Sequence, residues 1–480
     1  MSINVREVER DQLWLMPPSV REWLPEDHLA WFVLDVVTEL DLREFYASHR
    51  PDGRGGAVYD PALMLAVLFY VYAVGEHSSR RIEARLVEDV AFRVVAANQQ
   101  PDHATLARFR ARHQDHIAEL FAQVLGLCIA EGLVAAGTVA IDGTKIEANA
   151  SAWSNRTRRQ IADEILADAD RVDAEEDAKF GERRGGELPE RWASPGDRRA
   201  RLREALRQLD ERGASDWESY QAERAAKEKA AGRKLPGRKP SAGSANGKER
   251  QANTTDPDSR MLRARNRFLQ GYNGQAAVSE DQVIVAAELT NAANDSTMFT
   301  PMIDATKANL EQAGRPEAVG TYVADAGYWS VPNATAGTDA EVLITPMPAT
   351  NGITDPDDPR ITARNEVLDR LEAGELPLAA AATEMGVSTT WARKLRDDRR
   401  QGGVDPARLR KDMLNRLASD PGKTLYAKRK ITVEPVFGNI KANLRFRRFS
   451  RRGATAALSE WRLICSIHNL RKLHSARLTT

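Results

Sequence analysis

The rhythm of hydrophobic and polar positions changes three times along the chain. Residues 1–130 carry apolar residues at helical spacing. Pro61–Val74 is apolar all round, as a central bundle helix is. Ile82, Leu86, Val90 and Val94 follow with a four-residue period. Pro101-Asp102-His103-Ala104-Thr105 is a start signal for a further helix carrying Leu106, Arg108, Phe109, Arg110 and Arg112, with its arginines on an exposed face. At Gly137 the period shifts to that of strands. Thr138–Gly143 predicts a strand ending in a turn, and Tyr272–Val278 with Gln282–Leu289 predicts a hairpin across Ser279-Glu280-Asp281. A helix over Ser296–Ala313 and strands over Ala318–Ala324 and Glu341–Thr345 come next. Lys428–Leu473 reads as a long helical region. Pro435 places the start of its first helix near Thr432 and leaves Lys430 outside the regular face.

Two polar stretches interrupt this pattern. Residues 155–262 hold a run of acids (Asp163 to Asp177), an Ala/Glu/Arg/Lys stretch and the segment KLPGRKPSAGSANGKERQANTT, which together predict helices and a flexible linker. Residues 346–425 are mostly helical and include Pro377–Arg396, spaced like a helix-turn-helix around Gly386. An ordinary helical hairpin fits that segment equally well, and a plain bundle fits the arginine-bearing helices of 1–130. Without the two stretches, the order is three strands, a helix, two strands and a helix, which is the order of an RNase H-like core. The predicted architecture is therefore α/β. A helical DNA-binding domain (1–130) precedes a mixed-sheet core (134–155, 263–345 and 426–480), and two mostly helical insertions (156–262 and 346–425) interrupt that core.

Composition narrows the function classes. A hydrophobic fraction of 42% over 480 residues supports real cores. The net charge of zero, from 69 basic and 69 acidic residues, hides segregation, since Tyr426–Thr480 holds thirteen Lys and Arg against two acids, Glu434 and Glu460. Two cysteines, Cys128 and Cys465, exclude a disulfide scaffold and a Cys-rich zinc site, and a reducing cytoplasm is the expected home. The N-terminus MSINVREVERDQLW lacks a signal-peptide core, and the longest apolar run falls short of the roughly 20 residues of a membrane span. No GxxxxGK[ST] loop is present, so no nucleotide cofactor is expected, and there is no GxSxG elbow. His103, His113 and His116 lack companions at metal spacing, and His468 and His474 read as part of the basic tail.

Asp142, Asp325 and Glu434 are the candidate catalytic constellation. Two acids end strands and one begins the last helical region, so they can converge where an open α/β sheet places its chemistry. Carboxylate oxygens suit Mg²⁺, with Mn²⁺ as a substitute, and a pair of such ions supports in-line phosphoryl displacement. Singly, Asp142-Gly143 and Asp325-Ala326-Gly327 also fit turns, and Glu434 also fits a first-turn acid facing the helix dipole. At 100° per residue, Lys441, Arg445 and Arg448 fall within about 40° of Glu434, forming a cationic stripe suited to DNA phosphates. Arg447, Arg451 and Arg452 extend it, with Phe446 and Phe449 between them.

The segments VAIDGTKIEANAS (139–151), FLQGYNGQAAVS (268–279), YVADAGYWS (322–330) and YAKRKITVEPVFGNIKANLRFRRFSRRG (426–453) resemble a DDE-type transposase of a bacterial insertion sequence. The most specific feature is a Glu with a Lys seven residues later, matched by Glu434 and Lys441. The resemblance implies that Asp142, Asp325 and Glu434 bind metal and that Lys441 contacts the element-end DNA. The family signature places a Tyr seven and an Arg four residues before the Glu. Ala427 and Lys430 stand there, and Tyr426 and Arg429 lie one residue early. Cleavage at element ends and strand transfer into target DNA, by a homo-oligomer on paired ends, are what it implies. Two other classes fit parts of the chain. One is a catalytically inactive, sequence-specific DNA-binding protein derived from a transposon. The other is an interaction module built on 155–262, which leaves the basic tail unexplained.

Overall fold

The computed structural model describes residues 22–47, 58–135, 137–164, 198–231, 251–264, 267–315, 319–347, 359–400 and 406–479. Most of the acids of 163–177 and most of the Gly/Ser/Lys/Pro segment lie outside the described residues.

Seven helices come first: α1 (Leu29–Glu39), α2 (Arg43–Ala47), α3 (Pro61–Ala73), α4 (Ser79–Glu88), α5 (Val90–Val95), α6 (His103–Arg112) and α7 (Gln114–Ala130). Asp60 caps α3 by accepting the Ala62 N–H at 2.9 Å, and Pro61 sits in its first turn, where no amide proton is missed. From Met64 to Ala73 every residue of α3 is buried, as its uniform apolarity predicts. Arg110 departs from expectation. It is buried, and its guanidinium donates to the Tyr72 hydroxyl, which in turn donates to Glu460 at 2.8 Å.

The sheet runs β4 (Arg260–Ala264), β5 (Arg267–Ser279), β1 (Thr138–Glu147), β7 (Thr321–Ala324), β8 (Glu341–Ile344), and β6 (Ile284–Thr290) pairs with the far half of β5. β5 is antiparallel to β1, β4 and β6, whereas β7 is parallel to both β1 and β8. β1 does not end in a turn at Gly143. It continues to Glu147, with Asp142 opposite Ala276 and Gly143 opposite Gln275. Gly143 serves close approach instead of a turn, because a Cβ there would stand 2.3 Å from Gln275 Nε2.

Within the first polar stretch, β2 (Asn155–Thr157) pairs with β3 (Gln251–Asn253), and α8 (Arg198–Ala231) packs Leu202, Ala205 and Leu209 on Ile161 and Ala252. After α9 (Phe299–Gln312) and the short α10 (Val331–Ala334), the second stretch forms α11 (Pro359–Glu372), α12 (Leu378–Glu384), α13 (Thr389–Arg400) and α14 (Pro406–Ala418). Gly386 takes φ +63° between α12 and α13, the left-handed conformation that the sharp turn requires.

The predicted long C-terminal helical region is broken. α15 runs Asp420–Gly438, a π turn covers Asn439–Asn443, and α16 spans Ala454–Arg477. α15 starts a dozen residues before Thr432 because Ser419 caps Gly422 and Pro421 occupies the first turn. Pro435 is tolerated inside the helix because the Ile431 carbonyl it leaves free accepts Gln282 Nε2 at 2.9 Å. After the π turn, Arg445 adopts φ +55° and the chain leaves helical geometry, with Arg448 bridging β1 at Glu147. Lys430 therefore lies on a regular helix, while Arg445 and Arg448 do not share a helix face with Glu434.

α16 is buried along most of its length and packs on α3, α7 and β6, so one hydrophobic core joins the N-terminal helices to the sheet. The ring of Trp461 covers Gly274 and donates to the Gln275 carbonyl at 3.0 Å. His468 belongs to this core and not to a basic tail.

Candidate active site

Ile141 pairs with Ala324 in the parallel register of β1 and β7, so Asp142 and Asp325 are the next residues on adjacent strands. Asp325 Oδ1 accepts the Gly327 N–H at 2.8 Å and opens the turn Ala326–Tyr328. Asp142 Oδ1 accepts the Gly143 N–H at 2.7 Å. Over them passes α15, which contacts β1, β5 and β7. It carries Tyr426, Arg429 and Glu434 at successive points along its length.

Arg429 points inward. Its Nη1 donates to Asp142 Oδ2 at 2.9 Å, and the two side chains are only 13% and 19% exposed. Burial raises the Asp142 carboxyl to about 6; Arg429 opposes this, while the charges of Asp325 and Asp295 add to it. Burial also works against the Arg429 charge, but Asp142, Tyr426, Asp325 and Glu434 outweigh it and hold the guanidinium ionised. Glu434 itself is exposed.

A further buried-facing acid carries no motif in the sequence. Asp295, in the loop between β6 and α9, accepts on its Oδ1 from Lys145 Nζ at 3.2 Å, Asn273 Nδ2 at 2.5 Å and Gln275 Nε2 at 2.9 Å. Gln275 also accepts from the buried Tyr328 hydroxyl, whose proton burial and the charges of Asp295, Asp142 and Asp325 hold firmly in place. The available signal is the pair of polar residues Asn273 and Gln275 at strand period between Tyr272 and Ala276 in β5.

Lys441, on the π turn, donates to Thr144 Oγ1 and to the Lys145 carbonyl at 3.1 Å, on the same strand as Asp142. Of the remaining predicted cations, Lys430, Arg445 and Arg448 are exposed, the last paired with Glu147 at 2.8 Å. Arg451 is half-buried and donates to Gln114, and Arg452 donates to the Asn149 carbonyl. The structure thus gathers Asp142, Asp325, Arg429 and Lys441 along β1 and the end of β7, keeps Tyr426, Lys430 and Glu434 on α15, and spreads Arg445, Arg448, Arg451 and Arg452 over the irregular segment that follows.

The donor chemistry, all carboxylate oxygen, suits a hard divalent cation. Among the described residues, however, no three acidic, His or Cys side chains are gathered around a single ligating point. The guanidinium against Asp142 stands in as the positive charge these acids call for. No described helix is long and apolar enough to cross a membrane.

Residues 18–112 match a family model described as a transposase domain (DUF772), and residues 392–474 match one described as a transposase DDE domain. The second match spans α15 and Glu434, while Asp142 and Asp325 lie outside both. No curated protein and no solved structure matches the chain.

Proposed function

Taking the chain as a DDE-type transposase of an insertion sequence, we propose that it cleaves DNA at the ends of its element and transfers the freed strand into target DNA. The observation that carries this reading is the side-by-side placement of Asp142, within β1, and Asp325, just past the end of the parallel strand β7, under the helix that bears Glu434. We read the sheet order β6-β5-β1-β7-β8, with its first three strands antiparallel and its last two parallel to β1, as RNase H-like.

Asp142, Asp325 and Glu434 would hold the divalent cation, Mg²⁺ with Mn²⁺ as a substitute. When bound, it supplies activation of the attacking oxygen and charge stabilisation at the phosphoryl centre. The protein's own residues do the rest. Asp142 must be ionised to serve; its surroundings in the protein alone raise it to about 6, and a cation held there would lower it. Lys441, tethered beside Thr144 on β1, is placed to meet the phosphate of the scissile strand. Lys430, Arg445 and Arg448 present exposed charge to the flanking backbone, with terminal-repeat DNA and target DNA as partners and a homo-oligomer on paired ends as the acting form.

Asp325→Asn keeps the size and polarity of the side chain but removes its charge. It is expected to lower end cleavage by roughly a thousandfold or more while binding to end DNA stays within a few-fold. Loss of binding in parallel with cleavage would contradict the assignment. Equal binding with no cleavage in the unsubstituted protein, in either metal, would favour a transposon-derived DNA-binding protein instead.

A further inference from the structure

The insertion between β8 and α15 holds a small body with its own core. Val367, Leu368 and Leu371 of α11 pack with Ala381 of α12 in a hydrophobic cluster separate from the main one, and Leu376, Leu378 and Met385 border it. α11, α12 and α13 all touch one another. Small residues let α12 and α13 cross closely, since Ala381, Ala382 and Ala392 are buried. Between the two helices, the Gly386 and Val387 amides donate to the Thr383 and Ala382 carbonyls and close α12. Ser388 then starts α13, its Oγ accepting the Trp391 N–H at 3.2 Å. A second helix set across the first by a short glycine turn is the arrangement that carries a recognition helix into the major groove of DNA.

α13 has the surface such a helix needs. It carries five cations, Arg393, Lys394, Arg396, Arg399 and Arg400, against Asp397 and Asp398. In its first turn Thr389 is exposed, Trp391 is 47% exposed and Thr390 is half-buried. At 100° per residue, Thr390 lies about 160° from Ala392 and so faces away from the cluster. Hydroxyls and an exposed apolar ring at the start of a basic helix suit base edges and thymine methyl groups. α8 contacts α13 and leaves Thr389 and Trp391 exposed. α14 ties this body to the catalytic part, touching β8 and α15, with Arg416 on Glu341 at 2.8 Å. The N-terminal helices are instead fused to the sheet, and Arg110 of α6 is enclosed in their shared core.

We propose that α12 and α13 form a sequence-reading helix-turn-helix, in which α13 enters the major groove of the element-end duplex and Thr389, Thr390 and Trp391 contact the bases. The inference rests on the transposase reading above and deepens it by naming the part that selects the DNA. Selection of the end then belongs to the insertion and cleavage to the sheet. Pro377–Trp391 lies outside both family matches.

The test is fluorescence anisotropy of the full-length protein, without added metal and at one salt concentration, on two labelled duplexes. One carries the genomic flanks of its gene, and the other is a shuffled sequence of the same composition. Wild type is expected to prefer the flanks. Thr390→Ala and Trp391→Ala are each expected to weaken flank binding about tenfold and to leave shuffled-duplex binding within about twofold. Lys430→Gln, which removes a phosphate contact, is expected to weaken both alike. Dimethyl sulfate footprints should show guanine N7 atoms of the flanks protected by wild type and not by Trp391→Ala, because that atom lies in the major groove. If Trp391→Ala does not fold, the double variant Thr389→Ala/Thr390→Ala takes its place. Equal loss on both duplexes would make α13 a backbone contact only. Unchanged DNA binding with an altered oligomeric state would make it a protein interface. Either result overturns the inference. If wild type prefers the flanks and the variants keep that preference, the helix-turn-helix inference falls and the transposase reading stands. If wild type shows no preference, recognition of element ends falls with it.

Discussion

Gly143 shows how one missing methyl group shapes the centre. It sits inside β1 beside Asp142, and its Cβ position is crowded by Gln275 Nε2, Asp295 Oδ1 and Asn273 Oδ1, all within 3 Å. Gly143→Ala must push back the floor of the site, and overpacking of this kind costs about 1–3 kcal/mol. We expect that loss in urea unfolding, and a shift within 0.5 kcal/mol would mean the floor yields freely. The three acids were legible in the sequence as ends of elements, yet only Asp325 stands at one, since Asp142 lies within β1 and Glu434 within α15. Asp295 was not, since a single acid in a loop before a helix carries no signal of its own. The inward turn of Arg429 was equally hidden, because a one-residue offset from the family spacing says nothing about which way the side chain points.

At the scale of elements, the chain shows both what periodicity reveals and where capping overrides it. The hairpin of β5 and β6, the helix after it and the break at Gly386 follow directly from the pattern of apolar positions and turn residues. The start of α15 does not, because Ser419-Asp420-Pro421 is itself a helix start that the later proline obscured. The long region after Lys428 breaks because the π turn and the positive φ of Arg445 redirect the chain onto β1.

α16 holds these parts together through His468, whose Nε2 meets the Gln282 carbonyl and whose Nδ1 meets the Asn439 amide, each at 2.9 Å. Burial lowers its imidazole to about 4. A histidine depressed in the fold supports stability above its ordinary value of 6.5, and that support is lost as pH falls from about 6.5 through about 4. The shift corresponds to about 3 kcal/mol at most. Chemical unfolding at a series of pH values should show this loss for wild type, and His468→Gln should be less stable at pH 7 with a flatter profile. An unchanged slope in the variant would remove His468 as the cause.

At the scale of the whole molecule, the N-terminal helices and the sheet share one core around α16. The link is polar as well as apolar. Arg110 of α6, Tyr72 of α3 and Glu460 of α16 form a buried chain, and Glu460 also accepts from Ser450 in the basic segment. The helices that precede the core are thus tied by hydrogen bonds to the segment that follows α15. The residues matched by the two transposase models both contribute to this shared core, α3 from the first and α16 from the second. The sequence alone showed the helical and sheet portions as successive units. It could not show their fusion, because the burial of α16 depends on partners more than 300 residues away, such as Cys128 beneath Asn469.

The central claim is that Asp142, Asp325 and Glu434 act together on DNA. Its most direct test is incubation of the purified protein with labelled DNA carrying the genomic flanks of its gene, in Mg²⁺ or Mn²⁺, beside Glu434→Ala. The account predicts metal-dependent nicking at discrete flank positions that disappears in the variant. Nicking that persists in Glu434→Ala, or binding without nicking in both metals, would contradict it.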